Sequence, residues 1–411
     1  MNRCIYFFIF ILFYLFGCKD INNVGENNKD VSSNERLHTI DFSGLLNTDS
    51  IIKLSDIAVD IEMIKLETDD DIFIDRLRDI EITDDYLFIS DFKNLYQFSR
   101  SGEFIRKIGN RGRGPREYIY VVSLNINEDT KEIYIYCDIS KKLLVYNFEG
   151  RFSHFFKLPA MADIEYVKDS LFLAYSKVIE GTEEHIFYLT NPDSDTIPLV
   201  KNNFKWEHKA KFYIGVFGKL TPFYEFNRNI FFKDIYNDTV YRMDRDSLIY
   251  EPAYIIDLGK YDMPDEKRLS YVVDGSQFKK YWDDYYQISI KETYKYLWFQ
   301  YCTYNYNNPQ IQYGLYNKRA GNIFTLIDED NNKSQIINDF TGGPKFWPVQ
   351  IEDNMLIDFI YPYELKAYFN EKVNNKNIET NKYLLKRKKL KEIAFQSSES
   401  DNPIIIIAYT K

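Results

Sequence analysis

The sequence predicts an all-β fold, specifically a six-bladed β-propeller with small helical insertions. The first observation is composition: 35 of the 411 residues are Tyr and 32 are Phe, and aromatic side chains favour the half-buried surfaces of sheets. The second is a repeat, because strand and turn patterns at 84–109 recur at 131–152, with Gly102 and Gly150 at equivalent turns 48 residues apart. A four-stranded antiparallel unit at such a period is typical of a propeller blade.

Weaker copies of the same pattern follow the first two. Paired strand patterns begin near residues 169, 229, 296 and 354, which brings the total to six units. Three segments have helix-like spacing of apolar residues and are predicted to be insertions: 277–288, 362–372 and 381–395.

The end of the chain predicts how the ring closes. Residues 404–407 are four consecutive isoleucines, which suits a strand buried on both faces. An alternating strand is also predicted at 57–67, near the start of the folded part. We expect the C-terminal strand to join this N-terminal region, which removes an exposed sheet edge.

The first residues read as a targeting segment. Arg3 precedes an apolar stretch at 5–16, shorter than the roughly 20 residues of a membrane-spanning helix, and the stretch ends before Gly17 and Cys18. This arrangement looks like a bacterial lipobox, so we predict a lipoprotein signal peptide at 1–17 and acylation of Cys18. An uncleaved anchor or an ordinary secretory signal is the alternative.

The predicted organisation after the signal has two parts. Residues 18–36 are polar, rich in Asn and Asp, and lack apolar periodicity, so they predict a flexible tether. Residues 37–411 would form the propeller.

Charge and cysteine content argue against a nucleic-acid-binding protein and against a zinc protein. The net charge of −10 disfavours nucleic-acid binding, which needs a cationic surface. The basic run at 386–391 is interpreted as a solvated helix face. The four cysteines show no zinc-site spacing, so no metal and no cofactor is expected.

Several motifs resemble a known family. Residues 107–118 (KIGNRGRGPREY) resemble the "IGxxGxGPGEY" element of the six-bladed β-propeller lipoproteins of Bacteroidetes, many of unassigned function. Residues 64–68 resemble that family's "IPLET" strand, and residues 402–405 resemble its closing strand. Arg116 stands where the family usually has Gly. The resemblance implies an outer-membrane lipoprotein on the periplasmic face or the cell surface.

The Gly-rich element contains three candidate ligand-binding residues, Arg111, Arg113 and Arg116. Backbone N–H groups and guanidinium groups together suit an anion. However, no Lys-Ser/Thr pair follows to open a helix, so nucleotide hydrolysis is rejected. The alternative is a structural connection between blades in which Glu117 or Tyr118 hydrogen-bonds to the loop.

Three tryptophans are candidates for stacking on a sugar ring: Trp206, Trp282 and Trp347. Each falls in or near a predicted loop or insertion, where it would be able to line the mouth of the propeller. The alternative is that each packs beneath an insertion.

We therefore expect a lipid-anchored binding or scaffold module of the cell envelope rather than an enzyme. Its partners would be the membrane, through the anchor, and a carbohydrate, a peptide or an envelope protein. The alternative is a glycan-active enzyme, a lyase or hydrolase, with its site at the central channel. The fold alone does not separate the two, since propellers serve both.

Overall fold

Six antiparallel sheets form the blades of a propeller, as the sequence predicts. The computed structural model describes residues 37–69, 72–176, 181–193, 195–206, 222–234, 236–273, 279–305, 307–372 and 383–411. The predicted signal peptide, the tether and Cys18 lie outside the described residues.

An N-terminal segment precedes the first complete blade. Its elements are β1 (His38–Asp41), α1 (Phe42–Asn47), β2 (Asp49–Ser50), α2 (Leu54–Ile57) and β3 (Ala58–Lys65).

Blades 1 to 3 each consist of four strands in sequence order. Blade 1 contains β4 (Asp79–Ile82), β5 (Tyr86–Ser90), β6 (Leu95–Ser99) and β7 (Phe104–Ile108). The short parallel pair β8 (Asn110–Arg111) and β9 (Glu117–Tyr118) follows. Blade 2 contains β10 (Ser123–Asn127), β11 (Glu132–Cys137), β12 (Lys142–Asn147) and β13 (Phe152–Lys157). Blade 3 contains β14 (Met161–Lys168), β15 (Leu171–Ser176), β16 (His185–Thr190) and β17 (Thr196–Lys201).

Blades 4 to 6 carry the helical insertions. Blade 4 contains β18 (Phe223–Phe226), β19 (Asn229–Phe232), β20 (Thr239–Asp244) and β21 (Tyr250–Asp257), and is followed by a 3₁₀ turn (Gly259–Tyr261) and α3 (Asp265–Val273). Blade 5 contains β22 (Tyr286–Glu292), β23 (Tyr296–Thr303), β24 (Gln312–Asn317) and β25 (Asn322–Leu326). Blade 6 contains β26 (Gln350–Glu352), β27 (Met355–Ile360) and β28 (Ile404–Thr410), with α4 (Pro362–Lys372) and α5 (Leu384–Gln396) inserted between β27 and β28.

Ring closure occurs in blade 6, where β28 lies between β27 and β3. Ile405 of β28 pairs with Ile64 of β3 in an antiparallel register. The isoleucines alternate between two cores, with Ile404 and Ile406 on the side of blade 5 and Ile405 and Ile407 on the side of blade 1. The predicted closure by N- and C-terminal strands, with burial on both faces, is confirmed.

The N-terminal segment also extends two other blades. β1 runs parallel to β21 at the edge of blade 4, and β2 runs parallel to β25 at the edge of blade 5. Phe42 and Leu45 of α1 are completely buried in this region, which stabilises the segment against the blades. These fifth strands were not predicted from the sequence, because segments this short contain too few residues to show the apolar–polar alternation of a strand.

The helical predictions have mixed outcomes. α4 and α5 confirm two of them, and Pro362 occupies the first position of α4, where its fixed φ and missing N–H suit a helix start. The helix predicted at 277–288 is wrong in its described part, because residues 279–284 form turns and β22 begins at Tyr286. Pairing of β22 with β23 overrides the local helix-like spacing. α3 was not predicted.

The basic run at 386–391 lies on α5. Lys386 donates to the Asp60 carboxylate and to the Ile61 carbonyl at 2.9 Å, whereas Lys388 and Lys389 are exposed. The run is thus partly a solvated helix face, as predicted, and partly an attachment of α5 to the outer strand of blade 6.

Asn402 ties the closing segment to the connection between blades 6 and 1. Its side chain is fully buried and accepts a hydrogen bond from the Ile74 N–H at 2.8 Å. Its amide group donates to the carbonyls of Glu67 and Ile72, both at 2.7 Å. Three backbone groups of the 66–78 connection therefore depend on one side chain.

We predict that Asn402→Ala lowers the free energy of unfolding by about 3–5 kcal/mol, because each of three buried polar groups would lose its partner at about 1–3 kcal/mol. Urea denaturation would measure this. Asn354→Ala, at an exposed turn position of the same blade, is the matched control and should change stability by less than about 0.5 kcal/mol. A decrease in unfolding free energy below about 1 kcal/mol for Asn402→Ala would show that these hydrogen bonds contribute little to stability.

Candidate functional site

The Gly-rich element is a packed connection between blades 1 and 2. The buried Tyr118 hydroxyl donates to the Ile108 carbonyl at 2.9 Å and accepts from the Leu95 N–H at 3.2 Å. Glu117 accepts from the Gly114 N–H at 2.8 Å. Gly109 has φ +67°, and a Cβ there would lie 2.6 Å from the Tyr146 hydroxyl oxygen. These contacts correspond to the structural alternative for this element.

The three arginines of this element are all exposed. The Arg111 guanidinium lies 5.1 Å from the Tyr120 ring centroid, and the Arg116 guanidinium lies 5.7 Å from that of Phe152. Arg116 is not among the residues with positive φ, so its departure from the family's Gly imposes no backbone strain. An anion-binding role for Arg111, Arg113 and Arg116 stays a prediction.

The candidate tryptophans lie in different surroundings. Trp347 is 5% exposed and packs between Trp298 and Tyr313, with ring centroids 5.3 and 4.6 Å away. Trp206 is 9% exposed and covers Gly181, where φ is +76° and a Cβ would lie 2.4 Å from the indole. Both placements match the packing alternative.

Trp282 differs from the other two tryptophans, because its side chain is half-buried. It packs against a cluster that contains Trp206, Met263 and Tyr304. Of the three predicted stacking residues, it is the least buried.

The central channel brings together acidic side chains from four inner strands. They are Glu81 of β4, Glu165 of β14, Glu225 of β18 and Glu352 of β26. The amide of Gln350 donates to Glu352 at 2.6 Å and to Glu81 at 3.4 Å.

Two of these glutamates have raised pKa values. Burial is the main cause for Glu165, followed by interaction with the neighbouring carboxyl group of Glu225. Burial and repulsion from Glu81 and Glu225 likewise raise the pKa of Glu352. Glu225 also forms an ion pair with Arg245.

The channel is narrow at this level. The inner strands of blades 4 and 6, which are not neighbours in the ring, approach within 8 Å between Cα atoms. Within the described residues, no group of three or more His, Cys, Asp or Glu side chains is arranged to hold a metal ion.

A cavity of about 740 Å³ lies beside blade 6, beneath α4. Its walls come from the connection between β25 and β26, the end of β27, and α4. Neighbouring strands of a blade run in opposite directions, so the β25–β26 connection and the insertion between β27 and β28 lie on the same face of the propeller. The lining residues are Gln335, Asn338, Pro344, Lys345, Phe346, Asp358, Phe359, Ile360, Tyr363, Glu364, Ala367, Tyr368 and Ile406.

Asp358 is the most unusual group of this cavity. Its carboxylate accepts hydrogen bonds from the Trp347 N–H at 3.1 Å and the Phe359 N–H at 2.9 Å. Burial raises the pKa of Asp358 to about 7, against the opposing effect of these two bonds. Perturbed carboxyl groups in concave sites are candidates for ligand contact.

Sequence reasoning did not predict the channel glutamates or the role of Asp358 in the cavity, although the sequence pattern around each of them is distinctive. Asp358 interrupts an apolar strand, Met-Leu-Ile-Asp-Phe-Ile at 355–360. The channel glutamates end three similar tripeptides at the inner strands: Asp-Ile-Glu at 79–81, Asp-Ile-Glu at 163–165 and Gln-Ile-Glu at 350–352. The cavity itself gave no signal, because its walls come from segments that only folding brings together.

These features define a six-bladed propeller with a concave site on one face. The chain belongs to the family described as Domain of unknown function (DUF4934), whose model matches residues 37–409. The resemblance drawn from the sequence is therefore confirmed for family membership and fold, while lipid attachment stays a prediction.

A solved structure shares the fold. A "Putative exported protein" of Bacteroides fragilis NCTC 9343 matches with a TM-score of 0.67 and 20% identity, over 91% of this chain and 99% of that chain. A member of the duf4221 family from Bacteroides vulgatus matches with a TM-score of 0.43 and 11% identity, over 67% of this chain and 84% of that chain. No curated protein matches this sequence significantly.

We predict a pH-dependent gain of stability for Glu165→Gln. At about pH 4 both the folded and the unfolded wild type hold this proton. As the pH rises, the unfolded chain releases it first because the folded pKa is raised, so the wild type loses stability. A neutral amide does not titrate, so the variant avoids this loss, which is about 1.4 kcal/mol for each unit by which the pKa is raised.

Urea denaturation at about pH 4 and about pH 7.5 would check this expectation. Glu103→Gln, at an exposed position of blade 1, should show no pH-dependent difference from the wild type. A Glu165→Gln protein that is less stable than the wild type at the higher pH would contradict a raised pKa of Glu165 in the folded state.

Proposed function

We propose that this chain is a binding module of the cell envelope that holds a carbohydrate, a peptide or a segment of a partner protein in the cavity beneath α4. The single observation that carries this proposal is the cavity itself. Its volume of about 740 Å³ falls in the range of ligand sites, roughly 300–1,000 Å³. Its wall mixes aromatic, apolar and convergent polar groups, which is the composition such sites have.

A rigid ring is a suitable support for such a site. Two walls of the cavity are connections, which tolerate sequence variation more easily than strands do. The third wall is the end of β27, which pairs along its whole length with the closing strand. A ligand in the cavity would therefore contact segments that tolerate sequence variation and that are held in place by the paired strands of blade 6.

An envelope location and a lipid anchor belong to the same proposal. Their support is the lipobox-like sequence ending at Cys18 and the fold shared with a protein described as exported. The membrane would then be one partner, through acyl chains on Cys18, and the propeller would act on the periplasmic face or the cell surface. No helix among the described residues is long and apolar enough to cross a membrane.

The alternative, a glycan-active enzyme at the central channel, receives less support from the geometry. Glycosidase carboxyl pairs lie about 5–10 Å apart so that a sugar or water fits between them. Glu165 and Glu225 are instead close neighbours whose carboxyl groups interact, at a level where the inner strands of blades 4 and 6 approach each other. The narrow channel at this level favours the cavity beneath α4 as the ligand site.

We predict that Ala367→Trp abolishes ligand binding, because an indole at this exposed lining position would fill the cavity. The full-length chain, purified in detergent, would be tested on glycan and peptide arrays, with an expected loss of at least about tenfold in affinity for any ligand found. Asn370→Trp, also exposed on α4 but outside the cavity lining, should bind as the wild type does. Unchanged binding by Ala367→Trp, or chemical turnover of a bound ligand, would refute the proposal.

We also predict that Cys18→Ala abolishes incorporation of labelled palmitate and releases the chain from the membrane fraction, because the acyl chains would have no attachment point. Labelling of growing cells followed by fractionation would measure both. Cys4→Ala, within the part removed with the signal, should leave labelling intact. Palmitate incorporation that persists in Cys18→Ala would refute the lipoprotein assignment.

A further inference from the structure

The charges that line the cavity beneath α4 are unbalanced. Among the described residues that line the cavity, Asp358 and Glu364 are acidic and Lys345 is cationic. The Lys345 ammonium group lies 2.7 Å from the Asp328 carboxylate, so its charge is already compensated. A ligand in the cavity would therefore meet a net negative charge, which Lys291 of β22 offsets in part at Asp358.

The remaining wall suits a cation carried on an apolar stem. Four aromatic side chains line the cavity: Phe346, Phe359, Tyr363 and Tyr368. Aromatic faces attract ammonium groups. Ile360 and Ile406 supply apolar surface, against which the methylene groups of a lysine side chain would pack.

The hydrogen bonds of Asp358 leave acceptor capacity for a cation. Each of its oxygens accepts one backbone N–H, from Trp347 and from Phe359, and a carboxylate offers about four lone-pair sites. An ammonium group is a compact charge with three donors, and a single remaining lone pair is enough to accept one of them.

We infer that this cavity recognises the ammonium group of a lysine side chain in a peptide or protein partner, with Asp358 as its counter-ion and Glu364 and the aromatic rings around it. This inference rests on the proposed function and names the ligand chemistry of the same cavity.

The inference predicts a definite pH dependence. Two charged groups act on the pKa of Asp358: Lys291 of β22 lowers it and Glu364 of α4 raises it. Lys345 of the β25–β26 connection lines the same cavity. The resulting pKa of Asp358 is about 7, whereas a lysine side chain stays protonated to about pH 10. Only the ionised carboxylate attracts the ammonium group, so binding should be about tenfold tighter at about pH 8 than at about pH 6.

The probes are two blocked tripeptides, acetyl-Gly-Lys-Gly-amide and acetyl-Gly-Gln-Gly-amide, titrated against the full-length chain in detergent by ligand-observed NMR. We expect the lysine peptide to bind at least about tenfold more tightly than the glutamine peptide at about pH 8. Asp358→Asn keeps an acceptor for the Trp347 N–H while removing the charge, and it should abolish both this preference and its pH dependence. Thermal unfolding of the variant would check that it folds.

Two further outcomes separate this inference from the proposed function. Ala367→Trp blocks the cavity without altering Asp358, and it should remove lysine-peptide binding while Asn370→Trp retains it. Equal binding of the two peptides, or a preference unaffected by pH and by Asp358→Asn, would overturn the lysine inference. If a neutral glycan binds and Ala367→Trp blocks it, the lysine inference fails and the proposed function stands. If Ala367→Trp blocks nothing that binds, both fail.

Discussion

The pairing of β28 with β3 is the constraint on which the rest of the structure depends. Each blade buries apolar side chains on both of its faces, so each needs a neighbour on either side. Blade 6 meets blade 5 through Ile404 and Ile406 and meets blade 1 through Ile405 and Ile407. Without the strand from the N-terminal region, blade 6 would lose its outer strand and present an open edge. The completely buried Asn402 then fixes the path from this junction into blade 1.

The closed ring separates two kinds of polar site. In the channel, inner strands bring Glu81, Glu165, Glu225 and Glu352 close to one another, which together with burial raises the pKa values of Glu165 and Glu352. There the polar groups interact with one another. At the cavity beneath α4, Asp358 accepts two backbone N–H groups and lines the space between α4 and the end of β27. The concave site therefore arises from the insertion rather than from the repeat.

Local sequence patterns succeeded where one residue type suffices to define the local structure. The turns at Gly102 and Gly150 both have positive φ, so glycine marks them and reveals the repeat. The same reasoning failed in the described part of 277–288, where apolar spacing suited a helix but 279–284 form turns and β22, which pairs with β23, begins at Tyr286. It also left open whether Trp347 lies at the surface, since a loop position in sequence does not reveal the neighbouring Trp298 and Tyr313 that bury it.

The sequence by itself determined the propeller, the number of blades, the strand that closes the ring and the two helices of the last blade. Each of these follows from hydrophobic periodicity, turn residues or a proline, all of which act over a few neighbouring residues. Only the tertiary structure decided which polar groups meet. Glu165 and Glu225 come from different blades, and Asp358 and Lys345 lie on segments with separate local patterns. Contacts between distant segments depend on the geometry of the closed ring, which no local pattern encodes.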